Sequence, residues 1–269
     1  MVFPYNNLLR YDHSLDVARG EIPNMSSVNK FGRNIEIDSG VTADIWDGGH
    51  TVASGGTSLI WVAPTQARIH QIASSSDSDD GDPVGVGART LKVFGLTDWD
   101  TNEVNETITL NGTNDVATSN AYVIIYRMRV LTKGATSVNV GEITATADTD
   151  NTITARIRAG QGQTQMSIYG IPSTQTAYVG RIYSNANKAG GAAGLADAAL
   201  LYNPEPAAEL LNFLVKHTFG IQTVGTSAFT IPYYVPKAFE GPGILKIQVT
   251  SGTNDMDVSA GFDLILVDN

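Results

Sequence analysis

The chain has 269 residues, with 17 Lys and Arg against 27 Asp and Glu, which gives a formal net charge of −10 at pH 7. This acidic balance argues against a protein that binds nucleic acid through phosphate neutralisation. The sequence contains no cysteine, which excludes disulfides, thiolate metal sites and cysteine nucleophiles. We therefore expect no nucleic-acid partner, and we expect packing and assembly to supply the stability.

The first 27 residues carry apolar and aromatic side chains without a helical or alternating period. We predict an extended arm that lies across a neighbouring subunit or folds back on its own domain, because such a segment cannot bury itself. No signal peptide and no membrane span of roughly twenty apolar residues is visible, so we expect a cytoplasmic origin and no membrane partner. The arm residues predicted to contact a partner are Phe3, Tyr5, Leu8, Leu9 and Tyr11.

Two short motifs follow the arm, FGRN at residues 31–34 and DIWDGG at residues 44–49. Their glycines argue against a central strand, and their apolar residues are too few for an amphipathic helix. We predict an extended connector anchored by buried Phe31 and Trp46, with Arg33 gripping a carboxylate or a turn. Gly48 is predicted to supply a positive φ. Residues 1–50 are thus assigned to the arm and the connector.

Short alternating segments broken by turns fill residues 51–160, which we predict to form a first β-sandwich. Asn111-Gly112 is a strong turn signal, and residues 122–131 give the longest predicted strand. A second series of strand-like segments fills residues 161–269, which we predict to form a second β-sandwich. A short helix is predicted only near residues 204–211, where Pro206 suits a first turn.

The loop at residues 76–82, SDSDDGD, is the one cluster of oxygen ligands suited to a hard cation such as calcium. It lacks the complete spacing of an EF-hand loop, so a solvated acidic tip is the favoured interpretation and a cation site between Asp77 and Asp82 stays open. The four histidines show no paired metal spacing, and His70 and His217 are expected to be structural. We assign no metal site and no cofactor.

No other pattern predicts catalysis. The glycine-rich segments at residues 85–88 and 190–194 do not sit between a buried strand and a helix, so they are predicted loops and not phosphate cradles. No nucleophile-elbow sequence is present, and acidic pairs occur without a motif. Aromatic residues on the second series could stack sugars, although their alternation favours a place in the sandwich core. These are Tyr178, Tyr183, Tyr233, Tyr234 and Phe239.

Five stretches together resemble a family of structural proteins from the virions of tailed phages, and the resemblance runs from the end of the arm to the C-terminus. They are FGRN (31–34), DIWDGG (44–49), GARTLKVFGL (87–96), NETITLNG (105–112) and VSAGFDLILV (258–267). The resemblance implies a place in the virion and leaves the protein's role there open.

The sequence therefore predicts an all-β protein, with two jelly-roll-like antiparallel β-sandwiches preceded by an extended N-terminal arm. We expect a non-enzymatic capsid decoration or cement protein on the virion surface. It would be a homotrimer whose interface residues, Phe31, Arg33, Trp46 and those of the arm, clamp neighbouring subunits of the major capsid protein. The alternatives are a tail, collar or baseplate protein of the same particle, and a glycan- or receptor-binding head-fibre module.

Overall fold

The computed structural model describes residues 13–48, 59–188, 193–207, 212–224 and 226–269. Within these residues the chain forms one short helix and sixteen strands, and the pairings between strands are antiparallel. No helix in this part of the chain is long and apolar enough to cross a membrane. The elements are α1 (His13–Arg19), β1 (Met25–Ile37), β2 (Thr42–Asp44), β3 (His70–Ser74), β4 (Ala88–Leu96), β5 (Val104–Thr109), β6 (Val116–Ala117), β7 (Ile124–Lys133), β8 (Ile143–Ala147), β9 (Thr152–Ile157), β10 (Ile168–Ile171), β11 (Gln175–Lys188), β12 (Ala193–Asn203), β13 (Leu214–Val224), β14 (Thr226–Glu240), β15 (Gly243–Ser251) and β16 (Met256–Asp268).

Two sheets combine strands from both ends of the chain, and we call residues 13–48 and 164–269 the body. Sheet 1 has the order β1-β16-β11-β14. Sheet 2 has the order β10-β15-β12-β13, and β2 pairs with β15 beyond the end of β10. Since β1 pairs with β16 from Met25↔Val267 to Asn34↔Val258, the first and last strands of the described residues lie side by side.

Two further sheets are built from residues 59–163, which we call the inserted region because both of its ends join the body. Sheet 3 has the order β6-β3-β8-β9, and sheet 4 has the order β5-β4-β7. Alternation along β4 places Leu91 and Val93 in the interior. One apolar cluster includes residues of the body and of the inserted region, among them Trp46, Trp61 and Phe262. We call the contact region between the body and the inserted region the joint. It is therefore part of the hydrophobic core.

The all-β prediction is confirmed, but the prediction of a connector at residues 28–49 is wrong. Residues 25–37 form a 13-residue strand of sheet 1, and Thr42–Asp44 form β2 of sheet 2. The residues of β1 that point inward include Lys30, Gly32 and Asn34, which are mostly polar or small. These side chains lie against polar partners in the joint, so the inward positions of the strand are not apolar. The hydropathy of the sequence therefore does not show the two-residue period of a strand here.

The second half of the predicted arm contains a helix, which the sequence analysis did not predict, and it follows the alternative in which the arm folds back on its own domain. Residues 13–19 form α1, in which Val17 is buried, and residues 25–27 belong to β1. The chain from residue 13 onward therefore packs on its own body. Residues 204–207 are not helical, and the rest of the helix predicted there lies outside the described residues. The predicted contact residues Phe3, Tyr5, Leu8, Leu9 and Tyr11 also lie outside the described residues.

Candidate assembly surface

The two signature motifs meet in the joint, where the side chain of Asn34 holds the turn at residues 44–47. Its amide nitrogen donates to the carbonyl of Asp44 at 2.7 Å, and its amide oxygen accepts from the backbone N–H groups of Trp46 at 3.2 Å and Asp47 at 2.9 Å. Asp47 has a φ of 62°, so the left-handed residue of this turn is Asp47, and the prediction of a positive φ at Gly48 is wrong. The buried amide of Asn34 thus fixes a strained turn against β1.

Gly32 allows the backbones of the joint to approach closely. A Cβ atom at this position would lie 2.7 Å from the carbonyl oxygen of Ile45 and 2.8 Å from the backbone nitrogen of Ser167. Those two residues are themselves joined, since the N–H of Ser167 donates to the carbonyl of Ile45 at 2.7 Å. The glycine of FGRN is therefore required by packing of β1 on the residue 45 and residue 167 segments.

A buried ion pair lies behind the turn. Lys246 on β15 donates to the Asp44 carboxylate at 2.7 Å, and both side chains are almost fully buried. The same carboxylate accepts from the side chain of Gln248 at 2.9 Å and from the backbone N–H of Trp61 at 2.9 Å. Burial raises the pKa of Asp44, and Lys246 and the other donors act in the opposite direction. Asp44 therefore ties the start of the inserted region to sheet 2.

A second buried carboxylate ties the end of the inserted region to the turn. Asp47 forms an ion pair with Arg158, and its carbonyl accepts from Arg156 at 2.8 Å. Burial lowers the pKa of Arg158, and the nearby positive charge of Arg33 lowers it further. Trp46 lies between these contacts with 1% of its surface exposed, and its Nε1 donates to the carbonyl of Leu59. Trp46 is therefore an anchor inside the chain and not a contact for another subunit.

A large open cleft crosses the outer face of sheet 1 next to the joint, with a volume of about 1040 Å³. Arg33 forms an ion pair with Asp257 at 2.9 Å, and Arg181 forms one with Asp263. The guanidinium of Arg181 lies 5.7 Å from the centre of the Tyr183 ring. The cleft is lined by the following charged and aromatic residues: Phe31, Arg33, Glu36, Arg158, Arg181, Tyr183, Phe229 and Asp257. Its arginines are thus largely neutralised within the chain.

The predicted anchor Phe31 and the predicted carboxylate ligand Arg33 line this cleft and do not reach the core. Phe31 is 38% exposed, which contradicts a buried anchor in the single chain, because its side chain lies on the face of β1 opposite to Gly32. Arg33 grips a carboxylate, as predicted, and that carboxylate belongs to β16. Phe31 and Arg33 thus remain candidates for contact with another subunit, whereas Trp46 does not.

The acidic loop is organised around one buried carboxylate, so the prediction of a fully solvated tip is wrong for Asp79. This carboxylate accepts from the Ser74 hydroxyl at 2.7 Å and from three backbone N–H groups, those of Ala88 at 2.7 Å, Val140 at 2.8 Å and Gly141 at 2.8 Å. Asp77 and Asp82 are exposed. Across the described residues, no group of three His, Cys, Asp or Glu side chains is placed to hold a metal ion.

His70 is a buried residue of β3 whose Nδ1 lies 2.9 Å from the carbonyl of Arg68. Burial lowers its pKa to about 4. His217 lies at the edge of sheet 2 with its ring against Tyr233, and burial also lowers its pKa. Burial is the largest cause of both shifts, and at His70 it outweighs the carbonyl of Arg68 and the carboxylates of Asp148 and Asp150, which raise the pKa.

Sequence reasoning missed two sets of residues. Asn34, Asp79 and Lys246 organise buried polar contacts, and a single sequence gives no signal for them because their partners are distant in the chain. Tyr234 was expected in the core, but it is 97% exposed, whereas Phe239 is buried. Prolines at positions 232 and 236 flank this segment. They are the feature of the sequence that indicates an irregular edge strand.

No family model and no curated protein matches this sequence. A solved structure of the T13 infectious bursal disease virus particle is 10% identical, with 91% of this chain and 69% of that chain covered and a TM-score of 0.27. The structure of the Gx strain of the same virus is 11% identical, with 91% and 72% covered and a TM-score of 0.23. A lipoprotein of Bacteroides thetaiotaomicron is 8% identical, with 87% and 98% covered and a TM-score of 0.18. These TM-scores are too low to define a shared fold.

Proposed function

We propose that this chain is a non-enzymatic structural component of a tailed-phage virion, namely a decoration or cement protein on the outer surface of the capsid. In this proposal it is made in the host cytoplasm and binds across neighbouring subunits of the major capsid protein, while copies of the chain also associate with one another as a homotrimer. The N-terminal arm, Phe31 and Arg33 are the proposed contacts.

The observation that carries this proposal is the nested pairing of eight of the nine strands of the body, all except the short β10, which adds to sheet 2 beside β15. The first of these strands pairs with the eighth, β1 with β16, and the second with the seventh, β2 with β15. The third pairs with the sixth, β11 with β14, and the fourth with the fifth, β12 with β13. We infer that the body is a jelly roll, since that architecture arranges eight antiparallel strands in two four-stranded sheets and is common in viral capsid domains.

The position of the inserted region supports a structural role. It leaves the body after β2 and returns before β10, so one corner of the sandwich carries a second set of sheets. Three carboxylates are buried and bind backbone segments or cations of the same chain. They belong to Asp44, Asp47 and Asp79. Asp44 and Asp79 accept hydrogen bonds within the chain, and Asp47 is paired with Arg158. Because these carboxylates are engaged within the chain, they favour a structural role over catalysis.

Two of the motifs that carry the resemblance to phage virion proteins, FGRN and DIWDGG, have a structural role in this chain. FGRN and DIWDGG contact each other through Asn34, and they attach the inserted region to the body. A pair of motifs that fixes the relative position of two parts of a chain suits a protein whose surface must match a regular lattice. This supports a capsid position, but the tail alternative shares the same requirement.

Copy number tests the proposal. Particles of the phage that encodes this chain would be purified, and the ratio of this chain to the major capsid protein measured by quantitative mass spectrometry. A capsid decoration protein predicts a copy number in the hundreds, whereas six or twelve copies would place it on the tail axis. Absence from purified particles would reject a virion role altogether. Glycan-dependent binding of the isolated chain to host cells would favour the receptor-binding alternative.

A further inference from the structure

One side of the body carries apolar side chains that no described residue covers. Sheet 1 ends in β14 and sheet 2 ends in β13, and both strands present large side chains to solvent there. Tyr234 is 97% exposed and Val235 is 82% exposed, while Leu214 and Val215 on β13 are 47% and 60% exposed. Clusters of exposed apolar side chains mark interaction sites more often than single exposed residues do.

Lysines accompany these apolar groups. Lys237 on β14 donates to the carbonyl of Lys216 on β13 at 3.2 Å, which joins the two edge strands. Neither lysine takes part in an ion pair among the described residues. Glu240, the last residue of β14, is the carboxylate nearest to them in the strand. We call this surface the basic apolar edge, and it consists of Leu214, Val215, Lys216, Tyr234, Val235 and Lys237.

The geometry of β14 favours side-chain docking over the addition of another strand. Val179 of β11 pairs with Lys237, and Arg181 pairs with Pro232, so residues 233–236 of β14 bulge opposite Gly180. Prolines at positions 232 and 236 remove backbone donors from the edge. Bulges and prolines are features that block edge-to-edge strand pairing. A partner would therefore meet the protruding ring of Tyr234 and its neighbours.

The tip of the inserted region has the opposite charge and a similar apolar character. Val84, Val86 and Val140 are 66%, 51% and 40% exposed. They lie beside the acidic loop, where Asp77 and Asp82 are exposed and Asp80 is half-buried. Arg89 is the cation closest in the chain, and its Nε donates to the carbonyl of Gly85. We call this surface the acidic apolar tip, and it consists of Asp77, Asp80, Asp82, Val84, Val86 and Val140.

The acidic apolar tip is also rigidly supported. Asp79 accepts hydrogen bonds from Ala88 and Val140 on either side of it, and the carbonyl of Val86 accepts from the backbone N–H of Thr136 at 3.0 Å. A surface that is already ordered loses little conformational entropy when it binds. The tip is thus suited to insert between the exposed side chains of another protein surface.

We propose that the basic apolar edge of one copy binds the acidic apolar tip of the next copy, so that the chain associates head to tail. The two surfaces complement each other in charge, and both expose apolar groups that the single chain leaves uncovered. A contact between two different surfaces closes into a ring when its rotation allows. The inference deepens the self-association named in the proposed function, and it can fail while the virion assignment holds.

Mixing two variants tests the head-to-tail contact in the isolated full-length protein, with masses measured by analytical ultracentrifugation. An edge variant, Tyr234→Asp with Val235→Asp, and a tip variant, Val84→Asp with Val86→Asp, should each be monomeric, whereas the unchanged chain forms a ring. An equimolar mixture should form a one-to-one dimer and nothing larger, because each dimer retains one intact edge and one intact tip. The four side chains substituted here and the one in the control below are all exposed, and equal melting temperatures would establish that the variants fold.

The charges are tested separately. Lys216→Glu with Lys237→Glu should weaken association at least about tenfold, and adding Asp80→Lys with Asp82→Lys to the same chain should restore it. Leu195→Asp is the matched control, since Leu195 is 50% exposed on β12 and belongs to neither surface; it should leave the mass unchanged. A monomeric unchanged chain, variants that keep the unchanged mass, or a mixture that stays monomeric would each overturn the proposal. Copy number in particles is measured independently, so it separates this failure from failure of the virion role.

Discussion

Charged and apolar side chains are buried in the joint, whereas they are exposed at the basic apolar edge. In the joint, Asp44 and Lys246 are buried as a pair while Trp46 fills the space beside them. At the edge, Tyr234 is almost fully exposed and Lys237 has no ion-pair partner among the described residues. A buried pair adds little net stability but is costly to break, whereas an exposed ring contributes little to folding. The contrast separates residues that hold the fold from residues that are free to bind a partner.

The largest loss of stability is expected from Trp46→Ala, a substitution in the joint. The side chain is 1% exposed and lies in the shared core, so its removal should lower the free energy of unfolding by about 3–5 kcal/mol. Chemical denaturation of the isolated chain gives the value. A loss below about 1 kcal/mol would mean that the joint is not packed as described.

The second largest loss of stability is expected from breaking the buried ion pair between Asp44 and Lys246. Lys246→Met leaves the Asp44 carboxylate buried without its cation and should cost about 3–5 kcal/mol. Adding Asp44→Asn to Lys246→Met removes the unpaired charge and should recover most of that loss. If the double variant is no more stable than the single variant, Asp44 is not held as a charged partner of Lys246.

Acidification should destabilise the inserted region through His70. Its pKa is about 4 in the folded chain, below the ordinary value of 6.5, because burial disfavours the charged ring. Only the unfolded chain gains a proton as the pH falls from 6.5 to 4, so the stability present above pH 6.5 should decline by roughly 3 kcal/mol across this interval. The comparison is between unfolding free energies of the unchanged chain and His70→Gln at several pH values. Equal slopes for the two chains would refute the assignment.

The smallest effect is expected from Phe31→Ala. This side chain is 38% exposed on the wall of the sheet-1 cleft, so the isolated chain should lose no more than about 1 kcal/mol. Trp46→Ala is its counterpart within the joint. A loss for Phe31→Ala as large as that for Trp46→Ala would show that both motif aromatics stabilise the fold, and the distinction between joint and surface would fail there.

Alternation of apolar residues was sufficient to predict the all-β class and many strands of both halves. In β4 and β16 one face meets apolar core and the other meets solvent, so the side-chain period is visible in the sequence. In β1 the inward face instead carries Lys30, Gly32 and Asn34. Hydropathy could not identify this strand, because its buried side chains are satisfied by polar partners from distant parts of the chain.

The candidate surfaces were predictable only in part. Arg33 could be expected to grip a carboxylate from the chemistry of its guanidinium, but its partner Asp257 lies 224 positions away in the sequence. Tyr234 lies on the same outward face as Thr230 and Pro232, whereas Val235, which alternation would place inward, is exposed where β14 bulges opposite Gly180. Such features depend on register between strands, which a single sequence does not define.

A reconstruction by electron cryomicroscopy of the particle that is proposed to contain this chain tests the capsid assignment most directly. The account predicts density for the body and the inserted region on the outer face of the capsid, repeated where major capsid subunits meet. Density for this chain at the tail alone, or no density for it in the particle, would contradict the proposed capsid role.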